Sequence, residues 1–168
     1  VLSVIAVFKM PNGGSVTFAS MAPIVVISLM YNTKWAFLTS IAYSLVQMVL
    51  GFYPPPTQNF WSFAAVVLLD YVIAYGILGL AGPIARRFKG KVIGASMGTA
   101  VVILLRLVCH FLSGILIWDV YAPEGTPVWA YSLGYNSSYM IPELIVTVIV
   151  IALIVRFIDL DKLAARTK

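Results

Sequence analysis

FWSFAAVVLLDYVIAYGILGLAGPIA, from Phe60 to Ala85, is the stretch on which the fold turns: an unbroken apolar run in which Asp70 is the only charged residue. At about 1.5 Å of rise per residue such a run crosses the roughly 30 Å hydrocarbon core of a bilayer. A helix that is apolar on every side belongs either deep inside a large protein or in lipid. This chain has 168 residues, of which 61% are hydrophobic and 10% charged. Soluble domains carry about 25% charged residues, so a water-soluble fold is excluded.

Outward from that run the same pattern repeats. Further apolar runs extend over Val1 to Phe8, Val16 to Met30, Trp35 to Phe52, Val92 to Trp118 and Tyr139 to Ile158. Between them lie Pro11-Asn12-Gly13-Gly14, Tyr31-Asn32-Thr33-Lys34, Pro54-Pro55-Pro56, Arg86 to Lys91, and the stretch from Asp119 to Tyr135, each with residues that break a helix. The pattern predicts an all-α membrane protein of six transmembrane helices forming one domain over residues 1–168. Val1 to Phe8 is too short to span and lacks the basic flank and cleavage site of a signal peptide, so it reads as the outer half of a first helix that is truncated in this chain.

The basic residues orient the bundle. Lys34, Arg86, Arg87, Lys89, Lys91, Arg156, Lys162, Arg166 and Lys168 fall on one side of the alternating spans and Lys9 on the other. Cytoplasmic loops hold the positive excess, which places both termini in the cytoplasm of a bacterial plasma membrane and loops 10–14, 51–59 and 119–136 outside. The formal charge of +5 is then a topology signal and not a nucleic-acid footprint. Trp35, Trp61 and Trp118 suit interfacial belts. Gly76, Gly79 and Gly82, and the pair Gly94-x-x-x-Gly98, suit close helix packing.

Within the spans the ionisable side chains are Asp70, Arg106, His110 and Glu143, and their positions put all of them in the outer half of the membrane. A charge near the bilayer centre costs about 2.5–3.5 kcal/mol on insertion scales, so such groups face a cavity, a partner or a pathway. Arg106, His110 and Ser113-Gly114 share one helical stripe. Two readings stand for them: a ligand cavity open to the outside, or an Asp70 to Arg106 ion pair that merely locks two helices. Glu143, next to Pro142, reads equally as a cavity group or as a carboxylate in headgroup water. Trp118, Tyr121, Trp129, Tyr131, Tyr135 and Asn136 bring flat rings and polar tips to the third outer loop, where they suit either a flat cationic ligand or an interfacial belt.

Several classes drop out. One cysteine, Cys109, forms no internal disulfide, and one histidine with one cysteine makes no transition-metal site. No phosphate-binding loop occurs, so energy from ATP requires a partner. Ser113 beside His110 lacks the Gly-x-Ser-x-Gly setting and a third member, and no enzyme or cofactor is expected. No pair of spans repeats, which disfavours a carrier built of inverted halves.

Pro11-Asn12-Gly13-Gly14-Ser15-Val16-Thr17 with Met21-Ala22-Pro23, Leu69-Asp70-Tyr71, Arg106-x-x-x-His110-x-x-Ser113-Gly114-x-x-x-Trp118, Trp129-Ala130-Tyr131-Ser132 and Tyr135-Asn136-x-x-Tyr139-x-x-Pro142-Glu143 together resemble the thiamine-specific substrate-binding subunits of energy-coupling factor transporters. The resemblance implies a six-helix protein that captures thiamine from outside and works with a transmembrane coupling protein and two ATPase subunits. It implies that Asp70 bonds the aminopyrimidine with Tyr71 beside it. It implies that His110, Gly114 and Trp118 contact or stack on the ligand, that Arg106 supports them from below, and that Tyr131 and Asn136 contact it from the third loop. The acid is Asp where Glu also occurs and the base Arg where Lys also occurs. The family's lid loop reads Gly13-Gly14-Ser15 here, without an aromatic, and the docking motif of the first helix falls before Val1. Two rivals remain: a standalone proton-coupled transporter of a small heteroaromatic cation, relaying through Asp70, His110 and Glu143, and a ligand-free structural or sensory protein.

Overall fold

The computed structural model of the chain describes residues 6–11 and 13–165. It opens with a hairpin in which β1 (Ala6–Lys9) pairs antiparallel with β2 (Ser15–Thr17), Phe8 opposite Val16 and Lys9 opposite Ser15. This corrects the helical reading of Val1 to Phe8 at residues 6–8, and its residues 1–5 lie outside the described residues, as do Asn12, Arg166 and Lys168. The physical reason is the turn: Gly13 and Gly14 have φ of 89° and 90°, a region open to glycine, so the chain reverses there.

Five helices and a short terminal one follow. These are α1 (Ala22–Met30), α2 (Thr33–Gly51), α3 (Phe60–Ala85), α4 (Lys91–Leu116), α5 (Val128–Phe157) and α6 (Leu160–Ala165). The run read as Val16 to Met30 therefore begins as strand and becomes helix only at Ala22. Asn32 and Asn59 start α2 and α3 by accepting the backbone N–H groups of Trp35 and Ser62, at 3.1 and 2.8 Å. Among the described residues three helices, α3, α4 and α5, are long and apolar enough to cross a membrane. Their outward positions, such as Leu104, Val108, Leu112, Ile145, Ile149 and Leu153, are exposed and apolar, as a lipid-facing surface requires.

α3 is irregular twice, each time with a cause or a consequence. Over Val67–Val72 it widens into a π-helical turn, which carries Asp70 and Tyr71. Over Ile77–Leu80 it tightens to a 3-10 turn ahead of Pro83. Proline has no N–H, so the Gly79 carbonyl loses its helical partner. Ser28 of α1 replaces it: the buried hydroxyl donates to Gly79 O at 2.7 Å and accepts from Gly82 N at 2.8 Å.

Small residues set the remaining distances. A Cβ on Gly98 would strike the Ala81 carbonyl, and one on Gly94 the Ala85 carbonyl, so α4 lies against α3 at backbone contact. α4 packs extensively against both α3 and α5, and the core between the elements is filled by Met21, Val25, Leu78, Val102, Ile103, Met140 and Ile151. α5 also corrects the third outer loop. Helix begins at Val128, so Trp129, Tyr131, Tyr135 and Asn136 stand on α5 and not in the loop before Tyr139. The buried positions Ser132, Asn136, Tyr139, Glu143 and Thr147 recur at helical spacing, so the polar face of α5 points inward and a search for apolar runs passes over it.

Removing the Ser28 hydroxyl orphans two buried backbone groups at once. Ser28→Ala is expected to lose about 1–3 kcal/mol of stability, read as a fall in melting temperature of the detergent-solubilised protein. An unchanged melting temperature contradicts the role given to this side chain.

Candidate functional site

The site grows from the π turn of α3. Asp70, largely buried, is met by three donors from α4 and the segment after it. Its Oδ1 lies 2.9 Å from His110 Nδ1, and its Oδ2 receives Ser113 Oγ at 2.6 Å and the Trp118 indole Nε1 at 3.1 Å. A helical stripe brings His110 and Ser113 to one face of α4, and Trp118 follows where that helix ends after Leu116. A buried carboxylate ringed by hydrogen-bond donors is the form in which its charge is tolerated in lipid.

Arg106 is not the ion-pair partner of Asp70 that one sequence reading made it. Its Nε lies 3.3 Å from His110 Nε2, its Nη1 2.8 Å from Met21 Sδ, and its guanidinium sits 4.1 Å from the centre of the Tyr75 ring. The geometry fixes the imidazole. Arginine only donates, so Nε2 accepts, the proton is on Nδ1, and Nδ1–H donates to Asp70. The histidine thus stands between the two charges and transmits the orientation of one to the other.

α5 supplies the opposite wall. Ser132 Oγ donates to Phe111 O at 2.8 Å, and the Asn136 amide donates to His110 O at 3.2 Å and to Ser132 O at 2.9 Å while its oxygen accepts the Tyr139 hydroxyl at 2.8 Å. These bonds hold α5 against α4 where Gly114 leaves no side chain, since a Cβ there would overlap Ser132 Oγ. Glu143 is buried, not in headgroup water: its carboxylate accepts the Thr17 N–H and the Thr17 hydroxyl, each at 2.6 Å. Among the described residues no hydrogen bond joins Glu143 to His110 or Asp70, so the three do not form a continuous hydrogen-bonded relay.

The β1–β2 hairpin closes the site from a third direction. Thr17 is held by Glu143, the Tyr135 hydroxyl donates to Gly13 O at 2.9 Å, and Gly14 sits on the Tyr139 ring, 2.8 Å from where its Cβ would be. Beneath the hairpin is a cavity of about 570 Å³ lined by Asp70, Tyr71, Arg106, His110, Gly114, Trp118, Tyr131, Tyr135, Asn136 and Glu143. Of the residues that the sequence nominated, Ser113 and Trp129 do not line it; Ser113 is fully buried and Trp129 is 58% exposed. Tyr71 also has a second task, accepting the Tyr53 N–H and donating to Gly51 O, which ties down the loop after α2.

Sequence reasoning passed over Tyr53, Tyr75, Tyr139, Thr17 and Gly14, which line the same space. Tyr75 stands one helical turn past Tyr71, and Tyr139 one turn past Tyr135, so helical spacing from residues already nominated was the signal. Among the described residues no cluster of His, Cys, Asp and Glu could hold a metal ion. The arrangement can bind a small, flat molecule with donors at one edge; it holds no nucleophile and base in line for covalent chemistry.

Comparisons with known proteins agree with one another. A family model described as Thiamine transporter protein matches residues 1–162. Thiamine transporter ThiT of Bacillus subtilis (strain 168) is 39% identical over 158 residues, covering 87% of this chain and 77% of that protein. Thiamine transporter ThiT of Lacticaseibacillus paracasei is 30% identical over 96 residues, covering 52% of this chain and 48% of that one. The solved structure of ThiT from Listeria monocytogenes shares the fold, with a TM-score of 0.73 at 18% identity over 92% of this chain and 85% of that chain.

Gly114→Ala forces α4 and α5 apart at their tightest contact. Such overpacking typically costs about 1–3 kcal/mol, expected here as a lower melting temperature both with and without ligand. A variant as stable as the parent contradicts this account of Gly114.

Proposed function

We propose, from the premise that this chain belongs to the thiamine transporter protein family, that the cavity beside Asp70 captures thiamine from outside the cell. On this reading the vitamin is delivered only when the protein docks onto a transmembrane coupling protein driven by two ATPase subunits, as an energy-coupling factor substrate-binding subunit. The chain is a multi-pass protein of the bacterial cell membrane and a transporter, not an enzyme. Its arrangement as one substrate-binding domain of six spans with both ends cytoplasmic is part of the same proposal.

The observation that carries the reading is the state of Asp70. A carboxylate offers about four lone-pair sites. His110, Ser113 and Trp118 take three of them, which leaves one on Oδ1 of a residue that lines the cavity. That site can only accept, so it asks the ligand for an N–H donor. Thiamine brings one on its aminopyrimidine. Its two flat rings suit walls made of Trp118, Tyr131, Tyr135 and Tyr139, and its thiazolium charge suits aromatic faces, each contact worth about 0.5–2 kcal/mol. The volume falls within the roughly 300–1,000 Å³ usual for small-molecule sites. Asn136 and Gly114 shape the wall by holding α5 to α4, and Arg106 acts through His110.

Isothermal titration of the purified protein with thiamine is expected to give sub-micromolar binding. Asp70→Ala is expected to weaken it by at least about tenfold, the scale of one hydrogen bond to a charged group. Micromolar or weaker binding by the parent, or indifference to Asp70→Ala, contradicts the proposal.

A further inference from the structure

We propose that Ser113 is a positioning residue for Asp70 and thereby sets the preference of this cavity for ligands that present an N–H donor. The inference rests on the thiamine reading above. It concerns a residue that shapes the site from behind, with Asp70 between it and the ligand.

Ser113 is fully buried on α4, while Asp70 belongs to α3, so the 2.6 Å bond between them crosses two helices. The hydroxyl has a single hydrogen and a fixed direction for it. The Trp118 indole, which can only donate, points its N–H at Ser113 Oγ from 3.0 Å and at Asp70 Oδ2 from 3.1 Å. The lone-pair side of Ser113 is therefore occupied by the indole, and its hydrogen is directed at Asp70. Two donors are thus aimed at one oxygen, Oδ2, and they pin that oxygen away from the ligand.

What they leave is the other oxygen. Oδ1 carries the bond from His110 and the remaining acceptor site. Asp70 also stands on a π-helical turn, a form that occurs frequently at functional sites. Without Ser113 the carboxylate keeps its charge and its place in the chain, yet loses one of the two bonds that decide which oxygen faces the cavity. Binding of a donor ligand then carries the added cost of orienting the acceptor. A ligand without the donor makes no hydrogen bond to Asp70 in either case, so it is insensitive to the change.

The test measures binding of thiamine and of 4-deaminothiamine, whose pyrimidine bears a hydrogen in place of the amine and so has no N–H donor, by titration or competition. It uses the parent, Ser113→Ala, Ser113→Cys and Ser113→Thr in detergent, with the melting temperature recorded for each. Ser113→Ala is expected to weaken thiamine binding by about tenfold and to leave 4-deaminothiamine binding unchanged, so that the ratio between the two ligands falls. Ser113→Cys, which keeps the shape but is a weak donor, is expected to fall the same way if the alanine variant does not fold. Ser113→Thr, which keeps the hydroxyl, is expected to restore the ratio. Equal weakening of both ligands, or no weakening of thiamine, overturns the proposal. Failure of the parent to bind thiamine at all instead overturns the function on which the proposal rests.

Discussion

A carboxylate placed within an apolar helix long enough to cross a membrane has to be enclosed by donors, and that requirement organises this molecule. Asp70 is supplied from two directions, by His110 and Ser113 on α4 and by the indole of Trp118 just past it. Each supplier is itself held: His110 by Arg106, and Ser113 by the indole that shares its target. Arg106 in turn rests on Tyr75 and Met21, so a full positive charge is accommodated without touching the negative one. The result is a chain of oriented bonds whose end is a single open acceptor. Where an ion pair would have satisfied both charges at once, the intervening imidazole keeps the carboxylate available.

The rest of the fold maintains that arrangement against the tendency of polar groups in lipid to find one another. α5 presents Ser132, Asn136, Tyr139 and Glu143 inward and apolar residues outward, the reverse of a helix on a soluble protein. Its inward amides and hydroxyls are spent on α4 and on the hairpin, which fixes the separation of the walls. Gly114 permits the closest approach between α4 and α5, while Gly14, with its positive φ, lets the hairpin lie on Tyr139. Glu143 performs a different task from Asp70: both its oxygens are occupied by Thr17, and it holds the hairpin over the cavity.

Much of this is legible in the residues. The run from Phe60 to Ala85 announces a membrane protein, and the isolated ionisable groups at Asp70, Arg106, His110 and Glu143 mark where a cavity, a partner or a pathway is needed. Three features escaped for physical reasons. The strand Ala6–Lys9 is short and apolar, and only the Gly13-Gly14 turn tells it from a helix end. The first turns of α5 carry tyrosines, serines and an asparagine that an apolar count rejects, although their spacing is helical. The part played by Ser28 depends on Pro83, far away in the chain, which no local pattern connects to it. Partnerships of this last kind, like the preference of Arg106 for His110 over Asp70, exist only once helices have met.

The chain contains a single histidine, so the junction of this network can be observed without interference. Nitrogen-15 spectra of the histidine-labelled protein in detergent report directly which ring nitrogen carries hydrogen. The bonds from Arg106 and to Asp70 predict a protonated Nδ1 beside a bare, accepting Nε2 in the absence of ligand. A spectrum showing the hydrogen on Nε2, with Nδ1 bare, contradicts both the bond from Arg106 to His110 and the bond from His110 to Asp70.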